Sequence, residues 1–168
     1  IVAGKGEPLL LIHGGNLGWG QWYPNIGELA KNFKVFAIDL PGGGRSSRID
    51  YSKLDLEKDL VDVTDDFIEK TIGENKFSIV AASAGGWIAV KIAAKRGEQV
   101  NKLILADAVG FSDYLGFFDR LIGFYPFAKL LSKTAMRPVR SNKNIEKFLR
   151  GVFYNPNISL LKFLHPRW

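Results

Sequence analysis

Ile79-Val80-Ala81-Ala82-Ser83-Ala84-Gly85-Gly86-Trp87 is the stretch on which the reading of this chain turns. The residues before the serine, Phe77 to Ala82, are apolar with β-branched Ile79 and Val80, and they read as the end of a buried strand. Those after it, Ala84 to about Arg96, read as a helix. Ser83 sits at the junction, where a strand feeding directly into a helix forces a sharp, strained turn. Its hydroxyl is then presented at the carboxyl edge of the sheet. Such a turn tolerates only small neighbours. Ala81 stands two residues before the serine and Gly85 two after. The usual motif is G-x-S-x-G; with Ala81 in its first position the literal pattern fails, while the steric requirement is met. The free N–H groups at the helix start also favour negative charge beside Ser83.

Working outward, Pro8 to Ile12 is a continuous apolar run, the signature of a strand buried on both faces. His13-Gly14-Gly15 follows it. Trp19, Trp22, Ile26, Leu29 and Ala30 recur at helical spacing, which predicts a helix over about Trp19 to Lys31. Lys34 to Asp39 is the next strand, closed by the tight loop Pro41-Gly42-Gly43-Gly44. Ser52-Lys53-Leu54-Asp55 resembles a capping box with Asp in the place of Glu. Leu56, Leu60, Val63, Phe67 and Ile68 then mark the apolar stripe of an amphipathic helix ending near Gly73. The helix after Ser83 closes on Lys95, Arg96 and Gly97, a cationic last turn with a glycine cap. Lys102 to Asp107 reads as another buried strand.

Strands alternating with helices in this way predict an α/β fold with a parallel sheet. Ligands of such sheets bind beyond the carboxyl ends of the strands. His13-Gly14-Gly15, Asp39, Ser83 and Asp107 all fall at those ends. After Gly110 the composition shifts. Residues 111–168 hold 8 of the 12 phenylalanines, with breaks near Pro126, Pro138 and Pro156. They read as short amphipathic helices forming a cap over the sheet edge. Phe117, Phe118, Phe124, Tyr125 and Phe127 either line an apolar pocket beneath that cap or hold its helices together.

Composition narrows the chemistry. The 168 residues suit one domain with a sizeable core. The absence of cysteine excludes disulfides, a thiol nucleophile and Cys-based zinc sites, and two histidines argue against a His-rich metal site. No apolar run is long enough to span a membrane. Neither cysteine nor a signal peptide is visible, so the compartment stays open with the cytoplasm as the default expectation. The net charge of +6 is uneven: residues 111–168 carry 10 Lys+Arg against 3 Asp+Glu. That surplus reads as the solvated face of the cap. Contact with an acidic ligand or an anionic membrane surface is the alternative. No nucleic-acid motif accompanies the charge, so nucleic acid is not an expected partner.

Three features in order now carry a resemblance. His13-Gly14 follows one strand; Asp39-Leu40-Pro41-Gly42-Gly43-Gly44-Arg45-Ser46 follows the next, 26 residues on; Ser83 stands 44 residues after Asp39. Over residues 5–110 the chain resembles the α/β-hydrolase superfamily in its cap-bearing, esterase-like branch. The resemblance implies a mostly parallel sheet flanked by helices, with 1–110 the N-terminal part of the core and 111–168 a mainly helical, incomplete cap. It implies a serine hydrolase acting on carboxylic ester or related acyl bonds of a small molecule, without a cofactor; the aromatic residues after Gly110 add the expectation that the substrate is apolar. By position Ser83 matches the nucleophile, and the backbone N–H groups of Ala84 and Gly15 match the oxyanion hole. The Asp39 to Ser46 loop matches a structural turn. Ser rather than Asp at position 83 argues against the dehalogenase and epoxide-hydrolase branches.

The family's triad runs Ser, then Asp or Glu, then His. Asp107 is a candidate acid; otherwise it caps a strand end. His13 precedes the serine, and its His-Gly context points to loop scaffolding. His165 follows the serine, in a cap-like tail. Neither fits the family's base position. The chain therefore reads as an internal fragment of a longer hydrolase, with the acid and base outside it and little activity of its own. The competing class is a non-catalytic ligand-binding or receptor protein that retains the fold.

Overall fold

The computed structural model describes residues 1–15, 18–50, 53 and 55–108, all within the first of the chain's two units, Ile1–Asp113. Strands β1 (Val2–Ala3), β2 (Glu7–Ile12), β3 (Phe33–Ala37), β4 (Phe77–Ala82) and β5 (Val100–Ala106) form one sheet. Helices α1 (Tyr23–Leu29), α2 (Leu56–Thr71) and α3 (Ala84–Arg96) connect its parallel strands. The sheet order is β1-β3-β2-β4-β5. β3, β2, β4 and β5 run parallel, and β1 adds antiparallel to the edge of β3. At two residues, β1 is too short for periodicity to announce it.

The expected α/β fold is therefore present, and its order explains the layering. The chain steps from β2 outward to β3, then crosses back over β2 to β4 and continues to β5. With right-handed crossovers this reversal sends the helices to opposite faces. Alternate residues of each strand accordingly feed two cores. Leu9, Leu11, Val35 and Ala37 pack with Ile26 of α1, while Leu10, Ile12, Phe36, Ile79 and Ala81 pack with Ile68 of α2 and Ile88, Ala89 and Ile92 of α3. The reversal also makes the carboxyl ends of β2 and β4 the topological switch point, where a crevice opens in such sheets.

At the opposite end of the strands, Glu7 Oε1 accepts hydrogen bonds from Asn101 Nδ2 at 3.0 Å and Ser78 Oγ at 2.8 Å, tying β2, β4 and β5 together. These bonds hold the Glu7 carboxyl below its ordinary pKa, that from Asn101 most strongly.

Helices α2 and α3 are joined by ion pairs. Arg96 Nε meets Asp65 Oδ1 at 2.6 Å, Arg96 Nη1 meets Glu69 Oε2 at 2.8 Å, and Lys95 Nζ meets Asp65 Oδ2 at 2.8 Å. Burial pushes the Asp65 carboxyl up, but the hydrogen bonds and charges of Arg96 and Lys95 together hold it below its ordinary value.

Four expectations need correction. The helix predicted from Trp19 is a 3-10 turn over Trp19–Trp22, and the α-helix starts only at Tyr23. Pro24 requires this, because proline fits only the first turn of an α-helix. The cap of α2 is Asp55 rather than Ser52, which lies outside the described residues. Asp55 accepts the Lys58 N–H at 3.2 Å, and Asp59 reaches back to accept the Asp55 N–H at 3.0 Å.

Val63 is exposed, and Thr64 takes the buried position, its hydroxyl donating to the Leu60 carbonyl at 2.8 Å. The inward row runs Leu60, Thr64, Ile68, Ile72 at steps of four, which turns Val63 outward. The Leu56 side chain lies outside the description. Finally, β5 is not a buried strand: Ile104 is 53% and Leu105 36% exposed. Among the described strands only β4 pairs with it, so it is the edge of the described sheet. The cap expected over 111–168, including its aromatic residues and His165, lies outside the described residues.

Candidate active site

Ser83 occupies the link between β4 and α3 with φ 48° and ψ −123°. A positive φ is uncommon for a residue with a side chain, and this ψ lies outside the left-handed pocket that Asn and Asp tolerate. The surrounding packing holds the turn in place. The Ser83 N–H donates to the Ala106 carbonyl at 3.1 Å, and the Ser83 carbonyl accepts the Gly86 N–H at 3.0 Å. Gly97 at the far end of α3 has nearly the same torsions, φ 52° and ψ −121°.

The loop His13-Gly14-Gly15 leaves β2 directly beside Ser83. A Cβ built on Gly14 would fall 2.6 Å from Ser83 Cβ, and one built on Gly85 2.5 Å from the His13 carbonyl oxygen and 2.8 Å from that of Ile12. Both positions need glycine because two backbones pass at contact distance. This is the steric reason for the small residue two places after the serine. Gly15 is exposed at φ 49°, and Ala84 is the exposed first residue of α3. Helix-start N–H groups such as that of Ala84 have no intrahelical acceptor.

Asp107 follows β5 immediately, exposed and at φ 50°. The Ser83–Ala106 bond places the Asp107 backbone next to the serine's. So the structure brings Ser83, Ala84, Gly15 and Asp107 to one end of the sheet. His165 is outside the described residues.

His13 is 1% exposed, and its Nε2 accepts the Leu40 N–H at 3.0 Å. An accepting Nε2 carries no proton, so the ring is the neutral Nδ1–H tautomer. Burial pushes its pKa down, against smaller opposing contributions from the Gly14 carbonyl and the Asp39 charge. This is the scaffolding role that the His-Gly context predicts. Asp39 also acts structurally, its Oδ1 accepting the Trp19 N–H at 2.6 Å and its Oδ2 the Arg45 N–H at 2.9 Å. Ser46 Oγ donates to the Asp39 carbonyl at 2.7 Å.

One contact escaped the sequence reading. Gln21 Oε1 accepts the Gly14 N–H at 2.8 Å. Nothing in the sequence marks which backbone group a glutamine side chain will meet. Among the described residues no group of three or more His, Cys, Asp or Glu is placed to hold a metal ion, and no helix is long and apolar enough to cross a membrane.

A family model described as the alpha/beta hydrolase fold matches residues 7–142. The chain belongs to the α/β-hydrolase family. Among curated relatives, the α/β-hydrolase chain is 35% identical over 112 residues to human 1-acylglycerol-3-phosphate O-acyltransferase ABHD5, covering 63% of this chain and 31% of that protein. It is 35% identical over 115 residues to a 2-hydroxy-6-oxo-6-(2'-aminophenyl)hexa-2,4-dienoic acid hydrolase of Metapseudomonas resinovorans, covering 66% of this chain and 38% of that protein. Among solved structures, it is similar to a marine microorganism esterase with TM-score 0.65 and 28% identity, covering 98% of this chain and 60% of that one. A serine hydrolase involved in carbazole degradation gives TM-score 0.60 and 32% identity, over 67% of this chain and 44% of that one. The chain spans about a third of the length of the curated α/β-hydrolases it matches.

Proposed function

We propose that the protein to which this chain belongs is a serine hydrolase that cleaves carboxylic ester or related acyl bonds, with Ser83 as nucleophile. The observation that carries this reading is the Ser83 backbone: a non-glycine residue held at φ 48° at the carboxyl end of a parallel strand, facing the glycine loop of β2. Strain kept at one residue by the structure around it is typical of functional positions.

In this mechanism Ser83 Oγ attacks the carbonyl carbon as a base removes its proton. The Ala84 and Gly15 N–H groups hold the developing oxyanion. Each such donor contributes about 2.7–4 kcal/mol to transition-state stabilisation. The alcohol leaves with the proton, and water then releases the acid from the acyl-enzyme.

His13 Nε2 is occupied by the Leu40 N–H, so it does not serve as the base. The base and the acid belong to the part of the protein beyond residue 108, unless Asp107 supplies the acid. The substrate is a small ester or acyl compound with an apolar acyl part. Relatives named as acyltransferases, together with the basic balance of 111–168, favour a second reading in which an alcohol rather than water accepts the acyl group.

Fluorophosphonate labelling of the full-length protein tests the proposal. Labelling that disappears in Ser83→Ala supports it; no Ser83-dependent labelling defeats it in favour of a non-catalytic binding protein. Supplying an acyl ester with either water or a 1-acylglycerol-3-phosphate acceptor separates hydrolysis from transfer.

A further inference from the structure

We infer that Gln21 is a positioning residue that sets the orientation of the His13–Gly14 peptide, and through it the oxyanion loop; this rests on the function proposed above. The amide oxygen of Gln21 accepts the Gly14 N–H at 2.8 Å. A backbone N–H can be met only by the oxygen of a glutamine side chain, so the contact fixes both groups.

A trans peptide is planar, with its N–H and C=O pointing in opposite directions. Turning the Gly14 N–H toward Gln21 therefore turns the His13 carbonyl away from it. That carbonyl is the atom lying against Gly85 at the start of α3. The next residues are Gly14 and Gly15, whose backbone torsions offer little resistance to a flip. The Gln21 oxygen is an acceptor that favours this orientation of the peptide over its reverse. Only the Gly14 Cα separates this peptide from the one that carries the Gly15 N–H.

Gln21 is itself held. It lies on the Trp19–Trp22 turn, its own N–H donates to the Gly18 carbonyl at 3.2 Å, and the turn is anchored by the Trp19 N–H to Asp39. A continuous line of bonds thus runs from Asp39 through the turn and Gln21 to the loop beside Ser83. Gln21 touches neither substrate nor reacting atoms in this scheme. It acts only through Gly14.

The test uses the full-length protein with Gln21→Leu, close in size but lacking the acceptor, and Gln21→Glu, which keeps a carboxyl oxygen there. Turnover of p-nitrophenyl butyrate and inhibition by a trifluoromethyl ketone of the same chain length are measured. The ketone forms a hemiketal oxyanion on the serine and so reports on the hole. A misplaced donor costs about 10- to 100-fold in rate.

Gln21→Leu is expected to lower kcat by about that factor with KM within about twofold, and to weaken the ketone in proportion. Gln21→Glu is expected to restore most of both. An unchanged kcat in Gln21→Leu, a loss confined to KM, or failure of Gln21→Glu to rescue overturns the inference. If Gln21→Leu does not fold, Gln21→Met repeats the test, and failure of both to fold assigns Gln21 to stability instead. Ser83-dependent labelling of the wild type is read first. With labelling present, the variants judge Gln21 alone; without it, the proposed function falls and this inference with it.

Discussion

The Leu40 N–H donates to His13 Nε2 across 3.0 Å, tying the loop after β3 to the loop after β2. Protonating Nε2 would set two donors against each other in a buried place. Burial accordingly holds the folded-state pKa of His13 below its ordinary value of about 6.5. The unfolded chain then takes up the proton first as pH falls. The stabilisation is complete above about pH 6.5 and is lost as pH drops from there toward the lower folded-state pKa. A thermal unfolding series from pH 8 to 5 should show Tm falling more steeply in the wild type than in His13→Gln. Equal pH slopes would sink this assignment.

Gly85 has no room for a methyl group, since the carbonyls of Ile12 and His13 occupy its place. Gly85→Ala should cost about 1–3 kcal/mol, the usual penalty of overpacking. Urea denaturation measures it. Because the strain falls on the β2 exit, fluorophosphonate labelling should slow as well. A variant as stable and as quickly labelled as the wild type would contradict the contact.

Arg96 and Lys95 both meet Asp65, yet they should differ. Arg96 is 14% exposed and also reaches Glu69, while Lys95 is 53% exposed. Arg96→Ala is expected to lose about 2 kcal/mol, typical for buried charged hydrogen bonds. Lys95→Ala should lose under about 1 kcal/mol, less still at high salt. Urea melts of both variants at two salt concentrations decide the matter, and equal losses would argue against it.

At Ser83 the ordinary preference of stability for alanine over glycine should reverse. Ser83→Ala keeps a Cβ in an unfavourable conformation, whereas Ser83→Gly relieves it. Ser83→Gly should be the more stable variant by about 1–2 kcal/mol, within the range for backbone strain. Neither should label. Calorimetry on the pair would expose the opposite order at once.

The sequence was most informative where short-range chemistry decides. The bounds Phe77–Ala82 and Ala84–Arg96 agree with those read from apolar patterning, small residues and a glycine cap. Where two local signals competed, the reading slipped. Asp55 and Ser52 are both acceptable caps by residue type, and it is the Lys58 N–H bond to Asp55, with Asp59 reaching back to the Asp55 N–H, that marks Asp55 as the cap. Pro24 marks the true start of α1, a local signal that the apolar spacing of the tryptophans does not contain. Gln21 could not have been found, because its role depends on a loop and a turn meeting in space. For the candidate site, sequence located Ser83, Gly15 and Ala84 at one sheet end, while the bond that neutralises His13 is a tertiary fact.

The matched torsions at the two ends of α3 form an internal control that the protein runs on itself. At position 97 the chain needs only geometry, and it uses glycine, the residue for which that geometry is free. At position 83 it needs the same geometry and uses serine. One helix thus begins and ends on the same bend, built once from the residue that local energetics would select and once from a residue they would reject. Serine adds a Cβ that strains this bend and a hydroxyl that glycine cannot offer, so the two ends of one helix differ by a side chain that local geometry does not ask for.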